Sequence, residues 1–282
     1  MAIKIGFIGK TLKTGLVAAA LISAAGVTAG ENNEKLNQVL SSEYRAEAAA
    51  RDQYRHPAET LRFFGVEPDM TVVEIWPGGG WYTDILAAYL RDSGNLYAAH
   101  FDPDSEVDYF KRSRAAFGQK MADHPERYDQ VKLSVFNPPE QYDIAPVGSA
   151  DAVLTFRSTH NWYMSGGEKR LLAAFSAFHR ALKPGGVLGV VDHRLPEKRD
   201  DDEQQSSGYI KQSVVEKIAL QAGFILADSS EVNANPKDTA QHAKGVWTLA
   251  PTYRLGDTDR EKYQAIGESD RMTLKFIKPK GQ

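Results

Sequence analysis

The sequence predicts an α/β protein, a seven-stranded and mostly parallel sheet with helices on both faces and an antiparallel last strand. Three observations predict it. Thr71 to Leu90 reads as a buried strand (Val72, Val73, Ile75), a turn of three glycines (Gly78, Gly79, Gly80) and the start of an amphipathic helix (Ile85, Leu86, Tyr89, Leu90). The same strand-then-helix rhythm repeats along the chain, as parallel sheets require. Near the far end, Met272 to Ile277 alternates apolar and polar residues as an antiparallel strand does.

Taken in order, residues 1–29 differ from the rest. Lys4, Lys10 and Lys13 precede an apolar run, Gly15 to Gly26, and Val27-Thr28-Ala29 supplies the small residues a signal peptidase reads. A secretory signal cleaved after Ala29 is expected. The apolar run is short of the roughly 20 residues of a spanning helix, so the cleaved protein is expected in the periplasm or outside the cell, without stable membrane insertion. An uncleaved signal would leave it anchored. Losing three lysines takes the formal net charge from −3 to −6. Gly9-Lys10-Thr11 mimics the end of a P-loop but lacks its upstream glycine at the right spacing.

An N-terminal helical extension, 30–64, follows, with Leu36, Val39 and Leu40 at helical spacing; Pro57 opens its last helix and Gly65 ends it. Arg55 and His56 stand just ahead of the core domain, 65–282, either within reach of a ligand carboxylate or as a solvated helix end. The second strand runs from Asn95 to Phe101, and Glu106 to Met121 is helical. The third strand, Val131 to Phe136, ends at Asn137-Pro138-Pro139. The fourth, Asp151 to Phe156, opens into Arg157-Ser158-Thr159-His160-Asn161-Trp162-Tyr163. That cluster falls at the carboxyl edge of the sheet, where open α/β folds bind ligands. Ser165 and Glu168 read as a capping box for a helix carrying Leu171, Phe175 and Phe178. Leu182-Lys183-Pro184-Gly185-Gly186 stops it, and a fifth strand, Val187 to Val191, finishes in Asp192-His193-Arg194. Glu197 to Ser207 is acidic and rich in Gln and Ser, and reads as a mobile loop near the site. Ser213 and Glu216 cap the next helix, Phe224 to Ala227 is the sixth strand, and 231–269 is loop-rich.

The glycine turn points to a ligand class. Successive glycines take positive φ and let the backbone close on a ligand, while the following helix aims unpaired N–H groups at it. A nucleotide-like molecule is implied. The dinucleotide fingerprint needs a sixth-position glycine, and counting from Gly78 the sixth residue is Thr83. No Walker sequence follows either. An acid closing the first strand and then alternating glycines, here Glu74, Trp76, Gly78 and Gly80 with Trp76 in place of the first glycine, resembles motif I of the class I S-adenosylmethionine-dependent methyltransferases. The Leu-Lys-Pro-Gly-Gly stop before an apolar strand is a second hallmark of that family. With Arg55-His56-Pro57, Trp81-Tyr82, His160-Asn161-Trp162, Asp192-His193-Arg194 and Lys275 to Pro279, the chain from Arg51 to Pro279 resembles the predicted exported methyltransferases of bacteria. The resemblance implies a Rossmann-like methyltransferase sheet, S-adenosyl-L-methionine as cofactor and methyl transfer to a small-molecule substrate.

It also implies a site. Glu74, Gly78, Gly79, Gly80, Asp102, Asn137 and Arg157 would hold the cofactor. Asp102 is the nearest acid for the ribose hydroxyls, although the position two earlier, the acid in relatives, is His100. Asn137 reads either as an adenine partner or as a turn residue. His160 and His193 close strands four and five and are the candidate general bases, each also readable as a hydrogen-bonded structural residue. Asn161, Trp162, Tyr163 and Arg194 would border the substrate. His160, His193 and Asp192 contain no close-spaced pair such as His-x-x-x-His, so no metal is assigned. Zero cysteines removes thiolate chemistry and disulfides, and the absence of a basic stripe interleaved with aromatics speaks against a nucleic-acid partner. A reading from another class stays open: an exported, non-catalytic small-molecule-binding module, favoured by Trp76 and by the cytoplasmic origin of the cofactor.

Overall fold

The computed structural model describes Met1 and residues 30–281; the expected signal otherwise lies outside the described residues. The chain opens with helix α1 (30–40), a 3-10 turn at Glu43–Arg45 and two single-turn helices, α2 (Ala46–Ala49) and α3 (Asp52–Arg55). His56, in the left-handed region at φ +40, breaks the helix, and Pro57 at its first position starts α4 (Pro57–Phe64). Then follow β1 (Thr71–Ile75), α5 (Thr83–Leu90), β2 (Asn95–His100), α6 (Asp108–Asp123), α7 (Pro125–Tyr128), β3 (Val131–Val135) and β4 (Ala150–Phe156). The second half contains α8 (Thr159–Ala181), β5 (Leu182–Leu195), β6 (Ile210–Lys211), α9 (Gln212–Gln221), β7 (Ile225–Ser230), α10 (Arg260–Ile266) and β8 (Arg271–Ile277).

The strands run in the order β3-β2-β1-β4-β5-β8-β7, with two-residue β6 pairing with the end of β5. β1 through β5 are parallel, and β8 is antiparallel to both β5 and β7. The order reverses beside β1, whose neighbours are β2 and β4, so the carboxyl ends of β1, β2 and β4 open around a switch point, where such sheets hold ligands. Alternate residues of one strand face opposite layers. Val73 and Ile75 join Phe175, Phe178, Leu188, Val190 and Leu274 under α8 and α9, while Val72 joins Leu36, Leu61, Phe64, Ile85 and Leu154 under α1, α4 and α5. Each such fully buried large side chain contributes about 1.5 to 3 kcal/mol relative to exposure.

Four local expectations are corrected. Ser165 and Glu168 are no capping box: α8 starts directly after β4, and Ser165 Oγ donates to the Trp162 carbonyl at 3.2 Å. α8 bends at Gly166 and Gly167, the latter at φ +61, and Glu168 pairs with Lys217 at 2.9 Å. Ser213 bonds Glu197 through both N–H and hydroxyl, so it ties the start of the 197–207 segment to α9 instead of capping the helix with its own side chain. That segment carries a 3-10 helix, Asp201–Gln205, whose buried Gln204 accepts the Lys211 N–H at 3.0 Å. β5 extends to Leu195, because its far end gains partners in β6 and β8. Among the described residues no helix is long and apolar enough to cross a membrane.

Candidate active site

A cavity of roughly 1020 Å³ opens at the switch point. It is lined by the turn after β1 (Trp76, Pro77, Gly78, Gly79), by Phe101 and Phe110, by Arg157, Ser158, His160 and His193, and by Trp247 and Arg254. The turn is built for close approach. Gly78 (φ +60) and Gly79 have no heavy atom within 4 Å of where a Cβ would stand, so both present bare backbone to open space. Gly80 is different and corrects its assignment to the ligand: at φ +82, its Cβ would stand 3.0 Å from Phe117 and 3.3 Å from Lys120. It allows α6 to pack against the turn.

Trp76, in the place of the family's first glycine, also has a left-handed backbone (φ +49). The cost of that conformation in a side-chain-bearing residue, of order 1 to 2 kcal/mol, is offset by packing. Its indole contacts Phe101 at 4.7 Å, Trp162 at 5.3 Å and Phe110 at 5.6 Å between ring centroids, and Nε1 donates to the Phe136 carbonyl at 2.7 Å. Glu74 lies beneath, fully desolvated and accepting the Thr83 hydroxyl at 2.6 Å; burial pushes its carboxyl up to about 8, so it is neutral at pH 7.

The ribose assignment is corrected. Asp102 does not line the cavity; it accepts the Asp104 N–H at 2.9 Å and the Asn137 side-chain amide at 3.3 Å, so these two predicted cofactor contacts hold each other. His100 is turned inward, with Nε2 on the Gly78 carbonyl and Nδ1 accepting the Phe101 N–H, and burial lowers its pKa to about 4. Trp162 and Tyr163 are also corrected. Because α8 begins at Thr159, both fall on its sheet-facing side, and both are buried in the core instead of bordering a substrate. Asn161, on the other side of the same turn, does line the cavity. Arg194 points away, pairing with Asp270 at 2.9 Å and Glu231 at 2.7 Å.

The two histidines come together, their ring centroids 5.1 Å apart and both on the cavity wall. Asp192, fully buried, grips His160 twice: one oxygen accepts from Nδ1 at 2.8 Å and the other from the backbone N–H at 3.0 Å. Only Nε2 of His160 is left for the cavity. His193 Nδ1 bonds the Ser269 hydroxyl. Burial first, then His160 and nearby arginines, hold the His193 pKa well below its ordinary value, so it is neutral. The three side chains bring possible metal-ligand atoms within 4.8 Å of one another. Both Asp192 oxygens are already committed to N–H donors, however, and arginines flank the group, so the cluster reads better as an oriented base than as a cation site.

Arg55, read from the sequence either as within reach of a ligand carboxylate or as a solvated helix end, is buried on the cavity wall, among charged partners that had no signature in the sequence. Glu268 pairs with Arg51 at 2.6 Å, Arg271 at 3.1 Å and Arg55 at 3.4 Å. Burial raises the Glu268 carboxyl, but these guanidiniums and Arg157 outweigh it and hold it at about 2. Arg55 is 1% exposed, lies over the Trp81 ring at 4.5 Å, and leaves both Nη1 and Nη2 without an acceptor. Burial and the neighbouring Arg157 pull its pKa down to about 8, against the opposing pull of Glu268.

The strand order, the reversed last strand and the glycine turn at the switch point are those of the class I methyltransferase fold. Solved structures agree at low identity. A SAM-dependent methyltransferase from Aquifex aeolicus matches 87% of this chain and 98% of its own, at 15% identity and a TM-score of 0.52. Geranyl diphosphate C-methyltransferase from Streptomyces coelicolor, solved with Mg²⁺, geranyl diphosphate and S-adenosyl-L-homocysteine, matches 86% of this chain and 83% of its own, at 16% identity and a TM-score of 0.51. The cyclase SpnF matches 86% of each chain at 16% identity and 0.52. These likenesses establish the fold, and the cyclase shows that the fold is not tied to one chemistry. No family model matches the chain, and no curated protein matches it in sequence.

The residues present fit an S-adenosyl-L-methionine-type cofactor. Gly78 and Gly79 leave an open cradle, Phe101 and Phe110 offer an aromatic wall for a base, and the unpartnered nitrogens of Arg55 suit a carboxylate. The cavity lining offers no carboxylate at the end of β2 for the ribose hydroxyls.

Proposed function

We propose that the protein is an S-adenosyl-L-methionine-dependent methyltransferase acting on an O–H group of a small molecule. The observation that carries this reading is a histidine, His160, held by a buried carboxylate at the rim of an open glycine cradle. When bound, the cofactor supplies an electrophilic methyl group and leaves as a neutral thioether. Gly78 and Gly79 give it backbone contact, and Arg55 takes its carboxylate. Asp192 fixes the His160 ring with Nδ1 protonated, so that Nε2 is free to take the acceptor's proton, and the carboxylate stabilises the imidazolium that forms. Trp247 and Val246 exclude water above the two histidines. His193 is neutral and bonded to Ser269, which suits positioning of the acceptor better than removal of its proton.

Calorimetric titration of the protein with S-adenosyl-L-methionine and S-adenosyl-L-homocysteine tests the reading. Binding of both is expected, weakened by Arg55→Gln. A folded protein that takes up neither belongs to the second reading, a binding module on this fold, which the Trp76 substitution favours. We further propose that the protein is exported and cleaved after Ala29. Mass measurement on the natively produced protein should show a start at Gly30, and a full-length product retained in the cytoplasm refutes export.

A further inference from the structure

Arg157 follows β4 directly, two residues before α8 and three before His160, and lines the cavity with a left-handed backbone (φ +61). Its guanidinium makes no hydrogen bond or ion pair among the described residues; Glu268 and Arg271 act on it only at longer range. Next to it, Arg51, Arg55 and Arg271 share the single carboxylate of Glu268. Three lining guanidiniums (+3) against one carboxylate (−1) leave +2 on this wall, with Arg271 behind it donating to the Ser269 and Tyr54 carbonyls. The buried donors without acceptors are those of Arg55, while Arg157 is half-buried and meets the cavity with no counter-ion; both are costly, and an arrangement that keeps them is poised for an anion. Arg254, over the Trp247 ring at 4.7 Å, adds a further cation to the cavity lining.

The proposed cofactor does not resolve this excess. Its amino-acid end brings one carboxylate together with an ammonium, and its sulfonium brings another positive charge. It satisfies one guanidinium, that of Arg55, which frees Arg157, expected from the sequence to hold the cofactor, for a second anion, and it leaves the wall at least as positive as before.

We infer that the acceptor is itself an oxyanion: a small acid whose carboxylate or phosphate is held by Arg157 while its hydroxyl or phenol faces His160. The identity of the reacting group rests on the methyl-transfer reading; the anion site rests on the arginines. The planar fork of a guanidinium matches either oxyanion bidentately. The positive end of α8, starting at Thr159, reinforces it. Trp247 and Val246 provide the apolar surface for the body of the molecule.

The test is calorimetric titration of the full chain with inorganic phosphate and, separately, with succinate, each with and without saturating S-adenosyl-L-homocysteine. At least one anion is expected to bind the loaded protein, and which one binds distinguishes phosphate from carboxylate. Arg157→Gln should weaken that binding by about 10- to 100-fold and leave the affinity for S-adenosyl-L-homocysteine within about twofold, with Arg157→Lys intermediate. Anion binding that S-adenosyl-L-homocysteine abolishes would assign the arginines to the cofactor's own carboxylate and overturn the proposal. So would anion affinity unchanged in Arg157→Gln, or a folded wild type that binds neither anion. If S-adenosyl-L-homocysteine fails to bind while phosphate binding depends on Arg157, the anion site stands and the methyl-transfer reading falls. Should Arg157→Gln not fold, Arg157→Lys and the competition in wild type decide.

Discussion

Replacing Glu268 by Gln keeps the shape of the side chain and removes the one negative charge among Arg51, Arg55, Arg157 and Arg271. The carboxyl is held at about 2, against an ordinary value of 4.5. At 1.36 kcal/mol per pH unit, that difference corresponds to about 3 kcal/mol of folding stability. Removing one partner of a buried ion pair costs about 3 to 5 kcal/mol in general, which agrees. Because the folded pKa is depressed, the contribution is complete above pH 4.5 and disappears as pH falls through about 2. Urea unfolding followed by circular dichroism should therefore show Glu268→Gln less stable by about 3 kcal/mol at pH 7, or about 6 to 12 °C in Tm. The gap should stay constant down to about pH 4.5 and narrow below it. A gap under about 1 kcal/mol at pH 7, or one that ignores pH between 5 and 3, would refute the picture of one carboxylate neutralising an arginine wall.

Three further outcomes are expected. His160→Gln should lower turnover by about 10²- to 10⁴-fold with affinity for S-adenosyl-L-homocysteine unchanged; an unaltered rate in single-turnover assays removes His160 from proton transfer. Gly79→Val should fold normally but lose S-adenosyl-L-homocysteine binding, since its side chain would enter open space over the cradle, whereas Gly80→Val should lower Tm, since φ is +82 and Phe117 stands at 3.0 Å. Melting curves and calorimetry on the pair check this, and equal melting of Gly80→Val and wild type would contradict it. Glu74 is the opposite of Glu268: burial raises its carboxyl to about 8, so wild-type stability should decline between pH 4.5 and 8 as the unfolded chain alone ionises, and Glu74→Gln should escape that decline. Parallel pH profiles for the two proteins would show that Glu74 is not held neutral.

The sheet was legible in the sequence because its signals are local. Val72 to Ile75, the glycine turn and the apolar face of α5 lie within twenty residues of one another, and each later strand carries its own apolar run and its own stop. The polar site was legible only in part, because its contacts cross the chain. Asp192 adjoins His193 in sequence but grips His160, thirty-two residues away on the neighbouring strand's exit. Arg55 and Glu268 are 213 residues apart, and nothing near either one announces the other. Trp162 and Tyr163 were misplaced for a different reason. An expected capping box at Ser165 put the helix start too late, and a start at Thr159 turns both aromatics inward and leaves His160 and Asn161 on the cavity.

The chain has four tryptophans, three of them on this cavity and the fourth, Trp162, in the core directly against one of those three. Trp76, Trp81 and Trp247 line it, and Trp162 meets Trp76 edge-on at 5.3 Å. Intrinsic fluorescence is therefore a built-in reporter of the site with no distant background emission to subtract. Its three lining indoles mark separate regions: Trp81 lies beneath Arg55, Trp76 within the aromatic wall, and Trp247 beside His160. Single Trp→Phe variants would resolve which region a ligand occupies, so a screen of unlabelled compounds could rank binding and locate it in the same optical measurement.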